Sequence, residues 1–155
     1  MMDVGSGGGS PAIPLKLALP QVALTMVEAK ARKSAFLREA VRQLELGQAE
    51  VETARVEELL ANPALHEAFG TVTMRAVRVE TRMLHTVQAF LASNGQLLLF
   101  RGPHGPATPS VVVPPLEWVD TYSLVDTNQS RVTVLLKRPV GAAQNVPRGT
   151  FLPRA

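Results

Sequence analysis

The chain has 155 residues, a formal net charge of +3 and a hydrophobic content of 46%, which fits one globular domain with a sizeable core. It contains no cysteine, so disulfides, thiolate metal sites and cysteine nucleophiles are excluded. No apolar run approaches the roughly 20 residues of a membrane-spanning helix, and the N-terminus lacks the basic start of a signal peptide. We therefore expect a cytoplasmic protein that does not associate with membranes, and its mildly basic balance permits a polyanionic partner.

A glycine-rich stretch over residues 3–11 is the first functional signal. The end of a strand is predicted over residues 1–4, and a helix over residues 11–19. Glycines let the backbone approach a ligand closely, and a helix start offers unpaired N–H groups and the positive end of its dipole. Dinucleotides bind such a turn through their pyrophosphate. S-adenosylmethionine places its amino-acid end there, and Asp3 would take the ammonium directly or through water.

The next predicted strand, residues 22–28, is mostly apolar and is therefore expected to be buried on both faces. It ends in Glu28, about 20 residues beyond the glycines, which is the spacing of a ribose-binding acid. A carboxylate at that place can accept hydrogen bonds from both ribose hydroxyls. The alternative is a solvated charge at the end of the strand.

An amphipathic helix is predicted over residues 29–46, with Phe36, Leu37 and Leu44 on its apolar side. Its basic face is expected to be mainly solvated, and the alternative is a nucleic-acid contact. A third strand follows over residues 49–53. In the loop after it, a backbone N–H of Val56 or Glu57 could hydrogen-bond adenine. The alternative is that the acidic residues there simply favour a helix N-terminus.

The fourth predicted strand, residues 70–76, follows a helical turn over residues 64–69 and ends at the crevice where ligands of open α/β sheets bind. Arg75 stands at that end, either as a ligand contact or in an ion pair with a neighbouring acid. A helix over residues 80–93 and a strand over residues 96–101 come next. The loop over residues 102–115 contains His104, which has no second ligand at metal-binding spacing.

Two strands close the predicted domain, over residues 116–125 and 131–137, and the short turn between them makes an antiparallel hairpin. Residues 139–155 are predicted to be an extended basic tail, which leaves a domain over residues 1–138. The alternation of strands and helices predicts an α/β fold with a doubly wound, mostly parallel sheet. The antiparallel end favours a Rossmann-like class I S-adenosylmethionine methyltransferase, because nicotinamide-type sheets normally stay parallel to their end.

Several motifs resemble the bacterial 16S ribosomal RNA guanine-N7 methyltransferase family, RsmG or GidB. Residues 3–15 read DVGSGGGSPAIPL, and the family carries Asp-Val-Gly-x-Gly-x-Gly-x-Pro-Gly-Ile-Pro-Leu. Residues 33–37, KSAFL, resemble its basic-x-x-Phe-Leu helix, and residues 55–58, RVEE, resemble its Arg-(Ala/Val)-Glu-Glu. Arg75-Ala76 matches its Ser-Arg-Ala, and the similarity continues in order to about residue 139.

This resemblance implies S-adenosylmethionine as cofactor, no metal, and small-subunit ribosomal RNA as partner of a monomeric enzyme. It places cofactor contacts at Gly5, Ser10, Val56, Glu57 and Arg75. Our own reading of the loop and of the strand end adds Asp3, Gly7, Gly9 and Glu28. The family has a larger apolar residue at Ser10, a glycine at Ala12, more often an aspartate at Glu28, and a small polar residue at Met74. It also has a helical segment before the glycines, so we expect a domain truncated at its N-terminus.

Guanine N7 carries a lone pair and no proton, so its methylation is a direct displacement that depends on alignment and needs no general base. We accordingly predict no catalytic acid or base. Candidate contacts to the RNA backbone are cationic, and the alternative for each is a solvated side chain: Arg101, Arg131, Lys137, Arg138 and Arg148. Two alternatives remain open, namely an inactive or truncated binding remnant of the same fold and an NAD-dependent oxidoreductase.

Overall fold

The computed structural model describes residues 1–75, 79–102, 109–124 and 130–139. The strands within these residues are β1 (Met2–Val4), β2 (Leu24–Val27), β3 (Ala49–Glu52), β4 (Phe69–Arg75), β5 (Leu91–Arg101), β6 (Leu116–Ser123) and β7 (Arg131–Lys137). The helices are α1 (Ala12–Ala18), α2 (Ala31–Gln43) and α3 (Thr81–Phe90), with short 3₁₀ turns at Glu58–Ala61 and Pro63–Leu65.

All of these strands belong to one sheet, in the order β3-β2-β1-β4-β5-β7-β6. Strands β1 to β5 pair in parallel, whereas β7 runs antiparallel to both β5 and β6. The order reverses at β1, so the carboxyl ends of β1, β2 and β4 meet at the switch point where such sheets bind ligands. This topology confirms the predicted class I methyltransferase fold with its closing antiparallel hairpin.

The core has two parts because side chains of a strand alternate between the faces of the sheet. On one face, Met2 and Val4 of β1 join the apolar side of α3, including Leu84, Val87 and Phe90. On the other face, β2 and the helices α1 and α2 bury a smaller cluster made of Ala12, Leu24, Met26 and Leu37. Both faces of the central strands are therefore covered, as the apolar run of β2 predicted.

The boundary between α3 and β5 differs from the prediction. The helix ends at Phe90 and the strand starts at Leu91, whereas the sequence predicted a helix to residue 93 and a strand from residue 96. The apolar repeat over residues 83–91 hides this junction, because Leu91 is buried as a strand residue paired with Phe69. Phe69 likewise begins β4 and does not end a helical turn.

The apolar side of α2 was also predicted incorrectly in part. Leu37 is buried, but Phe36 is 56% exposed and Leu44 is 46% exposed. Ser34 takes a buried place, and its hydroxyl donates to the backbone oxygen of Glu28 at 2.9 Å. The buried side of α2 therefore includes Ser34 in place of Phe36. Helical spacing could not predict this, because a buried serine that bonds to the backbone and an exposed serine look the same in a sequence.

Lys137 was a candidate RNA contact with a solvated side chain as the alternative, and the structure contradicts both. The residue is only 8% exposed, and its Nζ donates to the backbone oxygens of Leu91 at 2.7 Å and Gln88 at 3.1 Å. Nζ also lies 2.7 Å from the Glu67 carboxylate, which lowers the pKa of Glu67. A cation at the carbonyl end of α3 is stabilising, so Lys137 joins β7 to α3 and is not available to a ligand.

Membrane-spanning helices are not found in the described residues, since none of the helices there is both long enough and apolar enough.

Replacing Lys137 by methionine should lower the free energy of unfolding by about 1–3 kcal/mol, because buried helix carbonyls would lose their donor. Urea denaturation would measure the change. The matched control is Arg138→Gln, which removes a partly exposed pair with Glu117 and should change little. Equal stability of the Lys137→Met variant and the unmodified chain would contradict the structural role.

Candidate functional site

The glycine loop turns directly over the end of β2. Gly5, Gly7 and Gly9 have φ values of 73°, 54° and 87°, which lie in the left-handed region that favours glycine. The amides of Gly5 and Ser6 both donate to the backbone oxygen of Val27, at 2.9 and 3.1 Å. A Cβ on Gly9 would stand 2.5 Å from Cδ1 of Ile13. The loop is therefore a close-packed turn and not a flexible linker.

Glu28 lies against this loop, as its spacing predicted. Its Oε2 accepts a hydrogen bond from the Gly7 amide at 2.9 Å, and its Oε1 accepts one from the Lys30 amide at 2.8 Å. The residue is 7% exposed, so the alternative of a solvated charge at the strand end does not hold. Each carboxylate oxygen keeps a second lone pair that can accept a further hydrogen bond.

Asp3 lies underneath the loop and is 1% exposed. Its Oδ1 accepts a hydrogen bond from the Thr73 hydroxyl at 2.5 Å, and the Ser6 hydroxyl donates to its backbone oxygen at 3.0 Å. Burial raises the pKa of Asp3, and hydrogen bonds from Ser6 and Thr73 act in the opposite direction. The Asp3 carboxylate therefore joins β1 to β4.

Arg75 connects the end of β4 to the other end of the loop. Its Nη1 donates to the Ser10 hydroxyl at 2.5 Å. Within the described part of the chain its side chain makes no ion pair with a carboxylate, which was the alternative considered from the sequence. The loop, Glu28 and Arg75 therefore share one edge of the sheet.

The loop after β3 reaches the same edge. The Val56 side chain is buried in the core formed with α3, which fixes the position of its backbone. Glu58 Oε2 accepts from the Arg55 amide at 2.9 Å, whereas the amides of Val56 and Glu57 donate to no other residue in the described ranges. These unpaired amides lie beside the carboxyl ends of the strands, where they can donate hydrogen bonds to a ring nitrogen of adenine.

A cavity of about 810 Å³ opens at this edge above β4 and β5. Its lining combines two arginines with apolar and hydroxyl side chains, among them Ser10, Pro14, Leu15, Arg75, Phe100 and Arg101. Gly5, Glu28 and Val56 do not line it. The edge thus has two neighbouring parts, one over β1 to β3 and one over β4 and β5, and Ser10 and Arg75 lie between them.

The remaining predicted RNA contacts have different surroundings. Arg101 and Arg131 face each other across the β5–β7 ladder near the cavity. Arg138 Nε donates to Glu117 at 2.8 Å, which makes it part of a surface ion pair. Arg148 and His104 lie outside the described residues.

Two features of the site were missed by the sequence analysis. Thr73 is the partner of Asp3 and lies in register with it in the parallel β1–β4 pair. Its signal in the sequence was a polar residue between the apolar Val72 and Met74. The cavity wall formed by Pro14 and Phe100 had no such signal. A metal centre is not indicated, since the described residues contain no group of three or more histidine, aspartate or glutamate side chains placed to hold an ion.

Sequence comparisons identify the family. The family model for rRNA small subunit methyltransferase G, GidB, matches residues 1–108. The ribosomal RNA small subunit methyltransferase G of Xanthomonas axonopodis pv. citri is 40% identical over 106 residues, which are 67% of this chain and 48% of that protein. The Lactobacillus helveticus protein of the same name is 28% identical over 161 residues, covering 99% of this chain and 67% of that protein. The chain spans about half the length of most of the curated relatives compared here.

Solved structures agree with the fold. The antibiotic-resistance methyltransferase Kmr has a TM-score of 0.62 and 15% identity, covering 88% of this chain and 85% of its own. A mutant of MtNAS crystallised with S-adenosylmethionine has a TM-score of 0.68 and 10% identity, covering 89% of this chain and 54% of its own. At such identities the likeness concerns the fold, and the family follows from the match over residues 1–108. The chain belongs to the rRNA small subunit methyltransferase G family.

Proposed function

We propose that this chain binds S-adenosylmethionine over the glycine loop and transfers its methyl group to N7 of a guanine in 16S ribosomal RNA. The observation that carries the proposal is the meeting of three distant segments at one sheet edge, through the Glu28–Gly7 and Arg75–Ser10 hydrogen bonds. Membership of the family supports the reaction. The domain over residues 1–138, its basic tail and a monomeric state are parts of the same proposal.

The residues at the edge fit the cofactor chemically. Glu28 would accept from the ribose hydroxyls with the lone pairs left free by Gly7 and Lys30. The unpaired amides of Val56 and Glu57 would donate to adenine. The amino-acid end would lie at the loop of Gly5, Gly7 and Gly9, beside Ser10 and Arg75, whose guanidinium suits a carboxylate. Asp3 would act from below by fixing the loop and β4.

The bound cofactor supplies a methyl group made electrophilic by its sulfonium. The lone pair of guanine N7 would accept this methyl group while the carbon–sulfur bond breaks with its electrons on sulfur, and no proton would have to move. The protein therefore has to align the two reactants and exclude water, for which orientation is the main catalytic term. For that reason we assign no general acid or base.

The two alternatives are distinguished by binding. A nicotinamide-dependent oxidoreductase would prefer NAD over S-adenosylmethionine, and an inactive or truncated remnant would keep the fold without transferring a methyl group. Family membership and the antiparallel β5–β7–β6 end of the sheet favour the methyltransferase. Calorimetry of the unmodified chain with both cofactors is the direct comparison, and tighter binding of NAD would refute the proposal.

Replacing Glu28 by glutamine should weaken S-adenosylmethionine at least about tenfold, because a charged acceptor for the ribose is lost while the side chain keeps its size. Isothermal calorimetry measures the affinity, and a thermal melt checks that the loop remains folded. Glu39→Gln is the matched control, since Glu39 lies on the exposed side of α2 in a pair with Arg42. Equal weakening by both variants would count against the site.

Replacing Arg75 by glutamine should lower transfer of labelled methyl to small-subunit RNA by about tenfold or more, because Arg75 lies between the two parts of the edge. The assay counts label retained on the RNA. Arg42→Gln serves as control, because Arg42 is in the last turn of α2 and thus away from the carboxyl ends of the strands. Unchanged transfer by the Arg75 variant would remove this residue from the proposed site.

Asp3 should make stability depend on pH in an unusual direction. Because its pKa is raised in the folded chain, the folded state holds the proton more tightly than the unfolded state. The stability contributed by protonated Asp3 is therefore present below about pH 4 and is lost as the pH rises through the raised folded value. Asp3→Asn keeps an oxygen acceptor for Thr73 and should not show this loss. Urea unfolding of both proteins across pH gives the difference, and parallel curves would contradict the prediction.

A further inference from the structure

The cavity above β4 and β5 lies next to the residues proposed for the cofactor. Its volume of about 810 Å³ lies within the roughly 300–1,000 Å³ of small-molecule sites. Its wall is apolar at Pro14, Leu15 and Phe100 and cationic at Arg75 and Arg101. An aromatic base with an attached phosphate combines the same two properties.

Arg101 is the residue that points to an anionic ligand. It is the last residue of β5, and its Nε is buried without a hydrogen-bond partner in the described residues. Buried donors are nearly always paired in folded proteins, so one left unpaired in the wall of a cavity indicates a partner that comes from outside the chain. Arg75 supplies its positive charge to the same cavity, and among the described residues its only hydrogen-bond partner is the neutral Ser10 hydroxyl.

The chemistry of N7 methylation decides which part of a nucleotide Arg101 can take. A guanidinium donating to N7 would occupy the lone pair that must attack the methyl group. A cation at the base edge would also repel the positive charge that the base acquires as it is methylated. An arginine in this cavity therefore fits the phosphate, where bidentate hydrogen bonding is strongest, and leaves the base to the apolar wall.

The form of the RNA follows from the same geometry. The N7 edge faces the deep and narrow major groove of an RNA helix, which side chains cannot enter. Enzymes that act on a base in such a place bind it unpaired and outside the stack. A cavity lined by Pro14, Leu15 and Phe100 has room for one base and not for a duplex.

We propose that this cavity holds the acceptor guanosine as an unpaired nucleotide, with Arg101 bound to its phosphate and Pro14, Leu15 and Phe100 in contact with its base. This inference rests on the proposed methyltransferase function. It gives Arg101 the role of a substrate-positioning residue and makes the cavity the RNA side of the edge, while Glu28 and the loop are the cofactor side.

The test uses a single-stranded oligouridine that contains one guanosine, followed by fluorescence anisotropy at several salt concentrations. Arg101→Gln should weaken binding about tenfold, the loss expected for a charge-assisted hydrogen bond. It should also reduce the slope of log affinity against log salt by about 0.7, the value for one single-strand phosphate contact. Arg42→Gln, on α2, should leave affinity and slope unchanged.

Two further measurements separate a binding role from a structural one. Because Nε has no partner to lose, the Arg101→Gln variant should melt at the same temperature as the unmodified chain or higher, and its affinity for S-adenosylmethionine should not change. Unchanged RNA affinity in the variant, or a lower melting temperature together with weaker cofactor binding, would overturn the inference.

A duplex with the same guanosine paired to cytidine should bind more weakly than the single strand, and equal binding would also overturn the inference. Calorimetry of the unmodified chain with S-adenosylmethionine alone reports on the proposed function. A failure of that measurement is therefore distinguishable from a failure of the Arg101 variant to lose RNA affinity.

Discussion

The carboxylate of Glu28 holds the candidate site together. It accepts one hydrogen bond from the glycine loop and one from the start of the segment leading into α2, so it joins the two connections that follow β1 and β2. A carboxylate that is 7% exposed needs such partners, because burying an unpaired charge is costly. The loop in turn needs an acceptor for the Gly7 amide. The Gly7 amide and the Glu28 carboxylate thus satisfy each other's hydrogen bonding, and both lie at the sheet edge where a ligand would bind.

The differences from the family pattern have local explanations in the structure. Ser10 stands where a larger apolar residue is usual, and its hydroxyl accepts from Arg75, which connects the loop to β4. Ala12 replaces a glycine, and it is fully buried against Leu24, Met26 and Leu37, so its methyl group is accommodated. These substitutions are compatible with the turn and do not disrupt it.

Buried charges elsewhere follow the same principle but serve stability. Lys137 donates to carbonyls at the end of α3, and Lys16 donates to the backbone oxygens of Pro20 and Val22 at 2.7 and 2.6 Å. Their donors are paired within the chain, as is usual for buried polar groups. Arg101 differs because its buried Nε has no partner in the described residues. That contrast is the reason for assigning an external ligand to Arg101 and none to Lys137.

The sequence by itself determined the fold class, the glycine loop, the acid at the end of β2 and the antiparallel hairpin, because each depends on residues that are close along the chain or on a regular apolar period. It did not determine the start of β5 or the buried side of α2, where one apolar pattern suits two structures. The roles of the cations were decided by tertiary structure alone. Lys137 and Arg75 are both cations at the end of a strand, and the sequence does not distinguish their roles. Their partners, Glu67 and Ser10, are 70 and 65 residues away along the chain. Only folding therefore determines whether a charged group meets a carbonyl, a hydroxyl or an open cavity.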